Sequence, residues 1–192
     1  MTKEPELTER LRRATVTFHT GTWCRQVAAS LALNPGFHPL ATLHARTHPG
    51  RYHPEGIEAL YLANSQDTAA RETGSVLPIK SRIIPDGKPP MFIFSVKVEV
   101  QKMLVLDDHV LPLLQTSYQE LTGHWNYGEL APTQTLGLSA HNLGVEALRV
   151  PSAVALGEFN VVVFPTCLLR GSCIEVVDSL ESKFWQRIDG TL

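Results

Sequence analysis

Residues 91–100 alternate. Phe92, Phe94, Val96, Val98 and Val100 occupy every second position. Successive side chains of a strand point to opposite faces, so this period of two collects five large apolar groups on one face. The segment predicts a half-buried strand, and residues 103–106 carry its β character onward. Residues 57–63, 145–150, 159–164 and 174–177 are further apolar runs that read as strands.

Helical signals stand between them. Residues 5–13 are rich in charge and helix formers, which predicts a short amphipathic helix on the surface. Ser65 can N-cap a helix running to about Thr73, with Gly74 ending it. Asp108 can cap a short helix through Leu114, and Ser117 with Glu120 forms a capping box. Pro132 suits the first position of a helix over 133–142, stopped by Gly144. Residues 23–28 fit a strand or a helix start. Residues 34–56, dominated by Pro, Gly, His and Thr, read as a long loop. Residues 75–90, with Pro78, Pro85, Gly87, Pro89 and Pro90, read as a second connection. Strands and helices mix without a βαβ rhythm. The fold class is therefore α+β: a single domain with a mixed, mostly antiparallel central sheet flanked by helices. Within it, residues 1–22 form an N-terminal helical extension, 23–178 the domain proper and 179–192 a C-terminal tail.

Composition narrows the function. At 43% apolar and 19% charged, the 192 residues supply one buried core, which rules out global disorder. A formal net charge of −2 lacks the basic excess of a general nucleic-acid binder. The apolar runs are too short to span a bilayer, and the first residues have no apolar leader segment. Cys24, Cys167 and Cys173 form neither a metal-type pair nor an even-numbered disulfide framework. A reducing cytoplasm is the natural compartment.

One stretch carries chemistry. Gly50-Arg51-Tyr52-His53-Pro54-Glu55-Gly56 is followed by Tyr61 on the next strand and Glu72 on the next helix. Arginine binds phosphate through paired donors, and tyrosine offers a stacking face and a hydroxyl. Glu72 falls in a last helical turn, where the dipole disfavours a carboxylate; it is either a functional exception or a solvated side chain. Pro151 ends a strand and leaves Ser152 at its tip, to bind a ligand oxygen or to satisfy a turn. His44, His48, His53 and Glu55 match no standard zinc spacing. His53 reads better as a substrate contact. Cys24 beside Arg25 is either a reactive thiol or a core residue, and Trp125 and Tyr127 line a pocket or pack in a turn.

Taken in order, the pieces resemble the RES domain, named for its Arg, Glu and Ser. Trp23-Cys24-Arg25 comes first, then Gly50-Arg51-Tyr52, Tyr61 and Glu72. Glu120-Leu121-Thr122-Gly123-His124-Trp125 and Ala131-Pro132-Thr133-Gln134-Thr135-Leu136-Gly137 follow. Val150-Pro151-Ser152-Ala153 and Asn160-Val161-Val162-Val163-Phe164-Pro165 close the set. Each motif alone is weak; the ordered set, from about Trp23 to Glu175, is specific.

The resemblance implies a fold similar to the ADP-ribosyltransferase toxins. Several RES domains are bacterial toxins that destroy NAD⁺, cleaving its nicotinamide–ribose bond by hydrolysis or phosphorolysis. Others transfer ADP-ribose to a target. The implied substrate is NAD⁺, with inorganic phosphate as a co-substrate of the phosphorolytic version and no metal. The implied partner is an Xre-type helix-turn-helix antitoxin that plugs the site. Neither nucleic acid nor membrane is bound directly, and a homodimer is one open arrangement.

By the same resemblance, Arg51, Glu72 and Tyr61 are catalytic. Arg25 and Arg51 grip the phosphates, and Tyr61 orients the nicotinamide ribonucleoside. Glu72 bonds the ribose hydroxyls, while Ser152 hydrogen-bonds a phosphate or ribose oxygen. Two positions depart from the family's usual pattern. Arg51-Tyr52-His53 stands where Arg-Trp-Asn is common, and Gln26 follows Arg25 where an aromatic is frequent.

Overall fold

In the computed structural model, the described residues are 4–74, 76–79, 82–85, 91–123, 130–177 and 187–191. The first helix, α1 (Glu4–Arg13), pairs Glu9 with Arg12 and Arg13 along its exposed face. Its other face buries Leu7 and Leu11, so the helix docks on the core. Strand β1 (Val16–Ala28) takes in residues 23–28 and begins well ahead of them. Two short helices, α2 (Ala29–Ala32) and α3 (Leu43–Thr47), follow; the second interrupts the expected 34–56 loop. Strand β2 (Leu60–Ala63) leads into α4 (Gln66–Glu72). There Ser65 Oγ accepts the Thr68 amide at 3.1 Å, and Gly74, at φ 64°, adopts the left-handed conformation that ends the helix.

The expected connection over 75–90 contains a hairpin instead. Strands β3 (Val76–Ile79) and β4 (Arg82–Pro85) pair antiparallel. Pro78 and Pro85 are tolerated because each strand of a two-stranded sheet keeps an edge that needs no N–H. Strand β5 (Met91–Val105) is the alternating segment, extended without a break. It buries Phe94, Val96, Val98 and Val100 and leaves Phe92 at its start 37% exposed.

Helix α5 (Val110–Leu114) is capped by Asp107 rather than Asp108: Asp107 Oδ1 accepts the His109 and Val110 amides, each at 3.0 Å. Helix α6 (Tyr118–Thr122) opens with the capping box of Ser117 and Glu120, and α7 (Pro132–Asn142) with Pro132 in its first turn. Strands β6 (Ala147–Pro151), β7 (Phe159–Val163), β8 (Cys173–Val176) and β9 (Arg187–Asp189) complete the described chain. The last has no counterpart among the sequence-based expectations. Trp125 and Tyr127 lie outside the described residues.

Seven of these strands form one sheet, in the order β1-β2-β7-β6-β5-β8-β9, and β1 also pairs with β5. Strands β1, β2, β7, β6 and β5 thus close a ring. Only β5 and β6 run parallel within it, which gives the mixed, mostly antiparallel sheet expected. One face packs Trp23, Leu60, Leu62, Val96, Val161 and Val163 together; the other sets Leu104, Leu148, Val162 and Phe164 against Leu7, Leu111, Leu121 and Leu136 of the helices. Each such side chain taken from water contributes about 1.5–3 kcal/mol. Among the described residues no helix is long and apolar enough to cross a membrane.

A bulge lets β5 serve two neighbours. Thr17 faces Met103 but His19 faces Val100, so Gln101 and Lys102 stand opposite Phe18 alone. Their amides both donate to Glu146 Oε2, at 2.8 and 2.6 Å, and the Leu169 amide donates to Oε1 at 2.9 Å. Glu146 is fully buried, and three N–H donors make its carboxylate tolerable there. On one side of the bulge β5 pairs β8, on the other β6.

Candidate active site

Ring closure brings distant side chains to one hollow of about 590 Å³. Strands β1 and β2 meet at Cys24 and Ala63, and residues of both strands line the hollow. Ala63 also faces Asn160 of β7, and α4, which carries Glu72, follows β2 directly. Arg25, His53, Tyr61, Glu72, Asn160 and Cys24 all line the hollow. Its volume lies in the ~300–1,000 Å³ range of ligand pockets.

Arg25 supplies its positive charge. Nη2 donates to the Ala41 carbonyl at 3.0 Å, while Nη1 is buried and has no hydrogen-bond partner among the described residues. Burial lowers the guanidinium pKa to about 10, so it remains a cation at neutral pH. A buried N–H without an acceptor is costly, and an anionic ligand oxygen would satisfy it.

Glu72, the last residue of α4, supplies the negative charge. Its Oε1 accepts from Ser152 Oγ at 2.7 Å and from Asn160 Nδ2. These two donors offset the unfavourable end of the helix dipole. Ser152 is 7% exposed and does not line this hollow; its hydroxyl is directed at Glu72. It borders a second hollow of about 500 Å³ with Tyr118, Val154, Leu156 and Phe159. Asn160 escaped the sequence reading of the site. Its signal was slight: a lone amide at the head of an apolar strand.

The Gly50–His53 turn is clamped from three sides. Gly50 N donates to the His53 carbonyl at 3.0 Å, and Gln134 Nε2 on α7 donates to the Gly50 carbonyl at 2.9 Å. A Cβ on Gly137 would stand 1.7 Å from the Tyr52 carbonyl oxygen, so only glycine lets α7 lie against the turn. Arg51 points away from the hollow. Its Nη1 donates to the carbonyls of Leu121 and Gly123, at 3.1 and 2.8 Å, where a cation suits the C-terminal end of α6. Its placement is that of an anchor, and Arg25 is the arginine that lines the hollow.

Behind the turn, Tyr61 Oη accepts the Tyr52 amide and contacts His53 Nδ1, both at 2.9 Å. Burial raises the Tyr61 pKa, and the phenol stays neutral. Cys24 lines the hollow half-buried, outside both core clusters. His44 and His48 stack with ring centroids 4.0 Å apart; among the described residues no group of three or more His, Cys, Asp or Glu gathers to hold a metal ion.

No curated protein matches this chain. Among solved structures, the chain is similar to one in the crystal structure of the M. tuberculosis MbcT-MbcA toxin-antitoxin complex. The TM-score is 0.66 at 18% identity, over 99% of this chain and 93% of that one. That likeness is one of fold. The family model described as the RES domain matches residues 23–182, a span that holds every lining residue named above. The chain belongs to the RES domain family.

Proposed function

We propose that the hollow binds NAD⁺ and that the protein cleaves its nicotinamide–ribose bond, acting in the cytoplasm as the toxin of a toxin–antitoxin pair. The observation that carries this reading is the pairing of Arg25 and Glu72 on one hollow. A buried guanidinium with an unpartnered N–H fits a pyrophosphate oxygen, and an aimed carboxylate fits a sugar that becomes positive.

The bond from ribose C1′ to the pyridinium nitrogen breaks, and its electron pair passes to the ring. Nicotinamide leaves neutral, so no strong acid is needed. Positive charge develops on the ribose as in glycoside cleavage. Glu72 stabilises that charge and orients the ribose hydroxyls; Ser152 and Asn160 hold the carboxylate still. Arg25 grips the phosphates, Tyr61 orients the nicotinamide ribonucleoside, and Arg51 keeps the Gly50–His53 turn in place. Water or inorganic phosphate then bonds to C1′, water losing a proton. No metal takes part.

The structural likeness to a chain of a toxin-antitoxin complex supports the toxin reading. The partner by this reading is an Xre-type helix-turn-helix antitoxin covering the mouth of the site. A second reading, ADP-ribosyl transfer to a protein, draws on the rim beyond Ser152. There Tyr118, Val154 and Leu156 are 38%, 49% and 103% exposed, an apolar surface suited to a macromolecule.

Mass spectrometry of products from NAD⁺, with and without inorganic phosphate, tests the proposal. Nicotinamide with ADP-ribose marks hydrolysis, nicotinamide with phosphorylated ADP-ribose marks phosphorolysis, and ADP-ribose found on protein marks the second reading. No release of nicotinamide under any of these conditions overturns the proposal.

A further inference from the structure

Gly50, His53 and Tyr61 meet at one point. A Cβ on Gly50 would stand 2.5 Å from His53 Cε1, 2.7 Å from His53 Nδ1 and 2.7 Å from Tyr61 Oη. Only glycine leaves room there for the imidazole and the phenol to touch, and His53 Nδ1 lies 2.9 Å from Tyr61 Oη. On the other side of the ring, Nε2 lies 2.9 Å from the Ala45 carbonyl oxygen and 3.2 Å from that of His48. Carbonyls only accept, so Nε2 carries a proton. His53 is 2% exposed, and burial lowers its pKa, so the ring is neutral and holds one proton. Nδ1 is then an acceptor, and the Tyr61 hydroxyl donates to it. The same phenol oxygen already accepts the Tyr52 amide at 2.9 Å. One lone pair is left, on a residue that lines the hollow.

We propose that His53 is a positioning residue: as the Nε2–H tautomer it holds the Tyr61 proton away from the hollow, so that Tyr61 meets its substrate as a hydrogen-bond acceptor. The group Tyr61 recognises is a donor, a sugar hydroxyl or a carboxamide N–H. Naming that donor rests on the NAD⁺ reading; the tautomer does not. A phenol that donates to an imidazole gathers negative charge on its oxygen, which suits a neighbouring ribose carbon as it turns positive. His53 thereby acts through Tyr61 and not as the direct substrate contact that the loop sequence suggests.

Two measurements on the full chain decide this. A long-range ¹⁵N–¹H correlation spectrum of histidine-labelled protein is expected to contain a neutral Nε2–H ring that is missing from His53→Asn. A His53 signal with Nδ1 protonated overturns the proposal. In NAD⁺ turnover, His53→Asn keeps an acceptor oxygen at the Nδ1 position and retains kcat/KM within about threefold, whereas His53→Leu loses about tenfold to a hundredfold. In a Tyr61→Phe background the His53→Leu loss shrinks to less than about twofold, because the residue it acts through is gone. Losses that simply add, or no loss in His53→Leu, overturn the proposal. If His53→Leu does not fold, the spectrum of the unaltered protein decides. If the unaltered protein leaves NAD⁺ intact, the reading under Proposed function fails, and the tautomer still decides this one.

Discussion

The Ser152 hydroxyl donates to Glu72 Oε1 at 2.7 Å while its oxygen accepts the amides of Val154 and Ala155, at 3.3 and 3.1 Å. With both lone pairs facing N–H groups, the hydroxyl proton has one direction left. The loop after β6 therefore aims the carboxylate at the end of α4, across 80 residues of chain.

Ser152→Ala is expected to leave the charge of Glu72 in place but loosen its aim. Steady-state kinetics on NAD⁺ should give a kcat about tenfold lower with KM changed less than about threefold. Losing a buried hydrogen bond also costs about 1–2 kcal/mol in urea unfolding. Glu72→Gln keeps the shape and removes the charge, and kcat should fall about a hundredfold or more at an unchanged unfolding midpoint.

The two arginines should separate cleanly. Arg51→Met removes a cation shared by the Leu121 and Gly123 carbonyls, and is expected to destabilise the fold by about 2–3 kcal/mol. Arg25→Met removes a buried charge with an unpartnered N–H, and should leave stability unchanged or raise it by about 1 kcal/mol while abolishing NAD⁺ binding. Thermal unfolding with and without pyrophosphate checks both. The anion should raise the Tm of the native chain but not that of Arg25→Met.

Gly137→Ala places a methyl group 1.7 Å from the Tyr52 carbonyl oxygen. The turn bearing Arg51 and His53 must shift, so a loss of about 3 kcal/mol or more in unfolding free energy is expected, together with loss of turnover. Gly36→Ala serves as the control: its Cβ meets nothing within 4 Å, and only its positive φ opposes the change.

Acid should weaken the fold. Burial lowers the pKa of His53 and of His19, so each binds a proton more readily when unfolded. Stability contributed by the neutral rings is complete above about pH 6.5 and is lost as pH falls below it. Urea unfolding at pH 7 and pH 5 should yield a smaller free energy at pH 5, and His53→Asn should reduce that difference.

What could be read from the sequence depends on near neighbours. The alternation over 91–100, the cap at Ser65, the stop at Gly74 and the box of Ser117 and Glu120 each need only residues a few positions apart, and each stands in the structure as read. The ordered motifs marked Arg25, Tyr61 and Glu72, and the loop after Gly50 marked His53; the fold brings all four to one hollow. Closure of the β1-β2-β7-β6-β5 ring decided the rest. It turned Ser152 toward Glu72, anchored Arg51 on α6 and enlisted Asn160. It also placed Glu146, a carboxylate inside an apolar run, beneath the amides of a bulge. A side chain's hydrogen-bond partner across 44 to 88 residues is set by strand register, and register belongs to the closed sheet rather than to any one of its segments.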